Sequence, residues 1–167
     1  MELSEAILKR RSIRSFKSDS VSDHQLLRLL EAARWAPSGG NRQLWKFITV
    51  RNAKMIRAIK MFAEGLYGWP PLIIAVCSKK EGAIATLDLG MATENILLTA
   101  TDLDLGGCTV ASFSEEPIKT LLGVPEEYRI VLLVSIGRMD VEPKVPVKKS
   151  LKEIAYSEKW GGSLAYE

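Results

Sequence analysis

A single histidine, His24, stands in the whole chain, and that scarcity removes several chemistries at once. A Ser-His-Asp triad or a multi-histidine metal site would have to rest on this one side chain. His24 reads instead as an exposed first-turn residue of a helix. Cysteine is nearly as scarce: Cys77 and Cys108 stand apart in apolar surroundings, with no CxxC or other metal-ligand spacing. They read as buried free thiols of a reducing cytoplasm rather than as a disulfide. No apolar run reaches bilayer length, and the longest, such as Leu72 to Cys77, suit buried strands. The acids Glu2 and Glu5 lie where a secretory leader would carry positive charge, so a cytoplasmic protein without a membrane partner is expected. Nucleotide fingerprints are missing too. Gly39-Gly40 lacks the Lys-Ser/Thr of a P-loop, and Gly106-Gly107 lacks the GxGxxG spacing. No two acids are placed persuasively for acid–base work; Asp88 and Glu94 fall in a long helical pattern, where surface positions or interface pairing are expected.

What is present bounds the remainder. At 167 residues, 47% apolar and 26% charged, the chain fits one globular domain, 1–167. The net charge of +3 is modest, but it is clustered. Lys9, Arg10, Arg11, Arg14 and Lys17 make one basic group; Lys144, Lys148, Lys149 and Lys152 make another. The densest stretch is Arg10-Arg11-Ser12-Ile13-Arg14. Guanidinium forks match phosphate or carboxylate oxygens in pairs, and beside a Ser hydroxyl they suit one doubly charged phosphate. A solvated basic face is the plainer reading of the same residues. A nucleic-acid partner fits the charge but little else, because no recognised motif interleaves aromatics with these clusters.

Along the chain, Ser4 to Arg10 reads as a short helix. Ser22 and Gln25 have capping-box spacing at the head of a stronger one, which Pro37 ends. The loop Pro37-Ser38-Gly39-Gly40-Asn41-Arg42-Gln43 then offers amides, a hydroxyl and carboxamides in a small space, a set suited to the polar edge of a flat heterocycle. Trp45 to Val50 reads as a strand, Ala53 to Leu66 as a helix and Leu72 to Cys77 as a buried strand. Ala83 to Leu103 is the longest helical pattern, with Ile84, Leu87, Leu89, Met91, Ile96, Leu97 and Leu98 spread over more than one face. A helix apolar nearly all round must be buried, in a core or between subunits. Cys108 to Ala111 reads as a short strand, Pro117 to Leu122 as a helix stopped by Gly123, and Arg129 to Gly137 as a strand. An extended tail and a short helix near Leu151 to Tyr156 complete the pattern. Strands and helices do not alternate regularly, so α+β is favoured over a doubly wound parallel sheet.

Two motifs together point to a family. RRSIRSF at 10–16, followed by AARWAPSGGNRQLWKFITV at 32–50, resembles the nitroreductase family of FMN enzymes. DLGMATENILLTATDLDLGG at 88–107 is similar to the family's long central helix and the turn after it, and Lys148-Lys149-Ser150-Leu151 with Glu158-Lys159-Trp160-Gly161 to its closing segment. The resemblance covers nearly the whole chain in the right order. It implies a central, mainly antiparallel sheet flanked by helices, in an intertwined homodimer with FMN at the subunit interface. It also implies that Arg10, Arg11 and Ser12 hold the phosphate and that Arg14 lies near the pyrimidine edge of the isoalloxazine. Pro37, Ser38, Gly39 and Asn41 would reach the flavin from the partner chain. Thr109, Val110, Ala111 and Ser112 would run along the ring, and Lys148 or Lys149 would complete the phosphate site. The chain departs from the family in being short between Val50 and Leu72, where the additional flavin-binding Asn and Lys have no matching residues. After Gly107 it reads Cys-Thr-Val-Ala-Ser, without the Glu-Gly of some members.

The activity implied is ping-pong transfer of hydride from NADH or NADPH, through FMN, to a small-molecule electron acceptor such as a nitroaromatic or quinone. The protein would supply binding, orientation and electrostatics rather than a reactive side chain. The rival is an FMN carrier or sensor without efficient turnover.

Overall fold

The computed structural model describes residues 1–79 and 83–164, with the side chains of 83–85 excepted. In chain order the elements are α1 (Leu3–Lys9), α2 (Asp23–Arg34), β1 (Trp45–Val50), α3 (Ala53–Lys60), β2 (Leu72–Lys79), α4 (Ala83–Asp102), β3 (Gly106–Val110), α5 (Glu115–Leu122), β4 (Tyr128–Gly137) and α6 (Leu151–Ile154). The strands form one sheet in the order β1-β2-β4-β3, antiparallel at every pairing. This is the α+β arrangement expected from the element pattern.

The two-residue period of a strand explains the layering. Along β2, Leu72, Ile74 and Val76 turn to the cluster that holds Leu29 and Ala33 of α2 and Leu89, Ala92, Ile96, Leu97 and Ala100 of α4. Ile73, Ala75 and Cys77 turn the other way, onto Ile56 and Ile59 of α3 and Ile118 of α5. In β4, Ile130 and Leu133 share that second face although they are three residues apart. A bulge makes this possible: Val76 pairs with Leu132 and Cys77 with Ile130, so Val131 is the extra residue that resets the alternation.

Local signals account for several boundaries. The Gln25 amide donates to Ser22 Oγ at 3.2 Å and the Ser22 amide to Gln25 Oε1 at 3.0 Å, closing the capping box of α2. Gly123 ends α5 at φ 64°. Other boundaries move for long-range reasons. α3 stops at Lys60 rather than Leu66, because the Lys60 ammonium donates to the carbonyls of Leu66 and Gly68 at 2.6 and 2.9 Å and folds the chain back. β3 begins at Gly106 rather than Cys108. Its two glycines are there for close packing: a Cβ on Gly106 would lie 2.2 Å from Ile13 Cγ1, and one on Gly107 2.6 Å from Ile136 Cδ1. The long helix is one-sided in the single chain, since Leu87 and Met91 are exposed; the side chain of Ile84 lies outside the described residues. Among the described residues no helix is long and apolar enough to cross a membrane.

Both cysteines are free and buried, and burial pushes the Cys77 thiol up to about 11. Native protein at pH 8 is therefore expected to resist Ellman's reagent, and both thiols to react once denaturant is added. Rapid reaction of the native protein would contradict this packing.

Candidate functional site

After α1 the chain straightens and runs beside the sheet. Ser12 forms a parallel bridge with Gly107, and the Ile13 amide donates to the Gly107 carbonyl at 2.9 Å. Further on, Phe16 bridges Met139, the Asp140 amide donates to the Ser15 carbonyl at 3.1 Å, and the Lys17 amide to that of Arg138 at 2.9 Å. An extended segment sends alternate side chains to opposite sides. Ile13 is buried while Ser12 and Arg14 are exposed. Arg11 and Ile13 line a cleft of about 600 Å³ with Lys9, Lys17 and Arg138.

The three arginines are consequently not side by side. Arg10 Nε pairs with Glu94 Oε1 at 3.0 Å. The Arg14 guanidinium lies 5.9 Å from the centre of the Tyr67 ring. Arg11 turns back on its own helix, Nη1 donating to the carbonyls of Leu8 and Arg10 at 2.6 and 2.8 Å.

The connection between α3 and β2 closes over this segment. Gly68 has φ 63°, and a Cβ there would stand 2.4 Å from the Arg14 carbonyl oxygen. The Gly65 amide donates to the Ser112 carbonyl at 3.0 Å, and that of Ser114 to Phe62 at 2.7 Å. One short loop therefore touches both Arg14 and the end of β3. The parallel pairing of Ser12 with Gly107 is an isolated bridge at the start of β3. Thr109, Ala111 and Ser112 are exposed further along the chain, while Val110 is buried. Tyr67 and Trp69 stand exposed on the same connection between α3 and β2, with Lys60 Nζ 5.0 Å from the Trp69 ring centre. Burial lowers the pKa of Lys60 from its ordinary value. Tyr67, Gly68 and Trp69 were not among the expected site residues. Their signal was a lone glycine between two large aromatics, ahead of Pro70-Pro71.

The loop from Pro37 to Gln43 hangs on a different part of α4. Gly40, Asn41 and Gln43 have φ of 59°, 53° and 49°, the left-handed region that residues other than glycine seldom enter. The Gln43 amide donates to Ser38 Oγ at 3.1 Å, Arg42 Nε to the Gly39 carbonyl at 3.1 Å, and Gln43 Nε2 to Asn41 Oδ1 at 3.1 Å. The Gly39 amide donates to both carboxylate oxygens of Asp88, at 3.3 and 3.2 Å.

Asp88 is 5% exposed, which corrects its expected place at a surface or interface. It flanks Leu89 and Ala92 on the inward side of α4. Glu94 is exposed and takes Arg10. A step of six positions along the helix sets the two acids about 9 Å apart along the axis and about 120° apart around it. The loop and the arginine segment of one chain are thus anchored at different places on α4. Pro37 and Asn41 are exposed and Ser38 and Gly39 half-buried. Lys148 and Lys149 are exposed on the tail before α6, and the structure does not join them to Arg10 or Ser12.

Gly68→Ala should distort the Arg14 segment directly, because the new carbon meets a backbone oxygen in a backbone conformation that suits glycine. A loss of about 1–3 kcal/mol is expected, read as a lower urea midpoint. An unchanged midpoint would contradict the close approach.

Comparison with known proteins converges on one family. The model described as "Nitroreductase family" matches residues 7–68 and 70–138. A protein of Archaeoglobus fulgidus, named for NADH dehydrogenase and NAD(P)H nitroreductase activity, is 35% identical over 144 residues, spanning 78% of this chain and 82% of that one. A crystal structure of a nitroreductase family protein from Clostridium novyi NT superposes with a TM-score of 0.79 at 31% identity, over 98% of this chain and 97% of that one. The FMN-dependent nitroreductase of Clostridium difficile gives a TM-score of 0.84 at 27% identity, over 92% and 98% of the two chains. Family match, sequence identity and fold agree, and the chain belongs to the nitroreductase family.

Proposed function

We propose that this chain is an FMN-dependent oxidoreductase that takes hydride from NADH or NADPH and passes it to a nitroaromatic, quinone or similar small acceptor by a ping-pong scheme. The observation that carries this reading is the parallel laying of Ser12–Arg14 beside β3. It starts with Ser12 beside Gly107 of β3, beyond which Thr109, Ala111 and Ser112 stand exposed. The loop that meets Arg14 through Tyr67 meets Ser112 through the Gly65 amide. This donor set fits a phosphate at one end and a flat, hydrogen-bonding ring at the other.

FMN, when bound, supplies the acceptance and delivery of hydride at its N5. Arg10 and Ser12 would hold its phosphate, with Lys148 or Lys149 closing the pocket from the tail. Arg11 fixes the turn that presents them through its bonds to Leu8 and Arg10. Arg14 would place a positive charge beside the pyrimidine edge, where electron density rises on reduction. Thr109, Val110, Ala111 and Ser112 would run along the ring. This scheme asks for no protein acid or nucleophile, in keeping with a lone His24 on the outer face of α2.

The other half of the site would come from a second copy, whose Pro37, Ser38, Gly39 and Asn41 would face the ring. What supports a dimer is the uncovered apolar surface. Leu87, Gly90 and Met91 form a stripe along α4, and Leu3, Ile7 and Leu8 stand exposed on α1. The tail adds Val147, Leu151, Ile154 and Trp160, all exposed. A surface of this kind in one chain is the mark of an interface.

The purified protein should be yellow, and anaerobic NADH or NADPH should bleach it at a catalytic rate. Arg14→Ala should slow that reduction by about 10- to 100-fold, the loss expected for one charged contact, with a smaller change in FMN affinity. Normal reduction in the variant would remove Arg14 from this role. A flavin that binds but is not reduced at a useful rate would favour the carrier reading.

A further inference from the structure

The buried carboxylate of Asp88 has no part in the hydride chemistry above, yet its placement is specific. It lies on the inward side of α4 beside Leu89 and Ala92, and is 5% exposed. Among the described residues, the amide of Gly39 is its one hydrogen-bond donor, meeting both oxygens at 3.3 and 3.2 Å. Removing a carboxylate from water costs more than one amide returns, so an apolar side chain would serve the core better at this position. The carboxylate therefore has to be explained by what it holds.

It holds the start of a turn that is hard to keep in shape. Asn41 and Gln43 follow Gly40 in left-handed backbone conformations, and such conformations persist only where surrounding contacts over-determine them. The other side-chain bonds of the turn stay inside it, joining Ser38 to Gln43, Gly39 to Arg42 and Asn41 to Gln43. The Gly39–Asp88 contact ties the turn to the body of the protein. Asp88 also adjoins Leu87, the exposed apolar residue of the same helix. One stretch of α4 thus carries both the dimer-facing stripe and the tether of the loop.

We infer that Asp88 is a positioning residue, which fixes the Ser38–Asn41 turn in the shape that completes the flavin site of the partner protomer. The inference rests on the flavin reading given above. It adds a residue that touches neither flavin nor substrate and acts across the interface through the loop.

The test uses full-length protein and FMN itself as the probe, with affinity read from quenching of flavin fluorescence and folding from thermal melting. Asp88→Ala should weaken FMN binding about tenfold or more. Asp88→Asn, which keeps an acceptor oxygen for the Gly39 amide, should recover most of that loss.

Differently tagged Asp88→Ala and Arg10→Ala chains are then co-expressed and their hybrid dimer isolated. Its two sites are unequal: one combines an intact Arg10 with an intact loop, and the other combines both defects. The hybrid should therefore bind one FMN per dimer at close to wild-type affinity, which neither homodimer does. A hybrid no better than the two homodimers overturns the inference, as does an Asp88→Ala protein with wild-type affinity. Where Asp88→Ala is too unstable to purify, Asp88→Leu fills the space without an acceptor and serves the same comparison. Loss of folding in both assigns the carboxylate to the fold and also overturns the inference. Wild-type protein that takes up no FMN would overturn the flavin reading and this inference with it, whereas failure of the variants beside a flavin-loaded wild type counts against Asp88 alone.

Discussion

Two missing β-carbons determine where everything else can go. Ile13 reaches its buried place because Gly106 presents no side chain, and Gly107 lets Ile136 and Leu97 close beneath the same strand. With those carbons absent, the segment after α1 lies flat enough for the Ile13 amide to reach the Gly107 carbonyl. That bond sets a parallel register, and the register decides the sides: Ile13 inward, Ser12 and Arg14 outward. The basic stretch acquires chemical meaning only through this alignment. Free in solution it would be five flexible residues with three charges. Laid against β3 its side chains are sent to separate places, Arg10 to Glu94 and Arg14 to Tyr67, under a loop that Gly65 and Gly68 bring within contact distance.

α4 is the second organising element. Its inner face packs on β2 and β4 through Leu89, Ala92 and Ile96, and its flanks carry the two acids. Glu94 meets Arg10 and Asp88 meets the loop amide. Because these attachments lie at different places on the helix, the arginine segment and the loop of one chain would serve two different sites. The exposed stripe through Leu87 and Met91 lies on the same helix, so burying it against a second copy would bring unlike halves together. Assembly and cofactor binding would then be consequences of a single packing event. The ion pair of Arg10 with Glu94 is half-exposed and correspondingly weak, which leaves that arginine available to a more highly charged phosphate.

Much of this was legible in the chain, and what was legible was local. Trp45–Val50 announces itself by β-branched and aromatic residues, and Ser22 with Gln25 by cap spacing; both elements stand where those signals put them. Gly123 stops α5 for a reason contained in one residue. What was not legible depended on partners far away in sequence. Gly106 and Gly107 look like terminators until Ile13 and Ile136 are seen to need their space. Ala53–Leu66 has helical composition, yet Lys60 finds better partners in the carbonyls of Leu66 and Gly68. Asp88 reads as a surface acid because nothing nearby in sequence reveals the Gly39 amide 49 residues away. The short connection before β2 looked like a lost excursion, and it is also the wall beside Arg14.

The central claim is that the flavin site is complete only in the dimer. It is tested most directly by following FMN affinity while the protein is diluted through its own dimer dissociation, with flavin fluorescence reporting release and sedimentation reporting assembly on the same samples. The account predicts that the two transitions coincide, that FMN shifts the dimer equilibrium toward association as linkage requires, and that the monomer binds FMN at least tenfold more weakly. A monomer that retains FMN with the affinity of the dimer would contradict it.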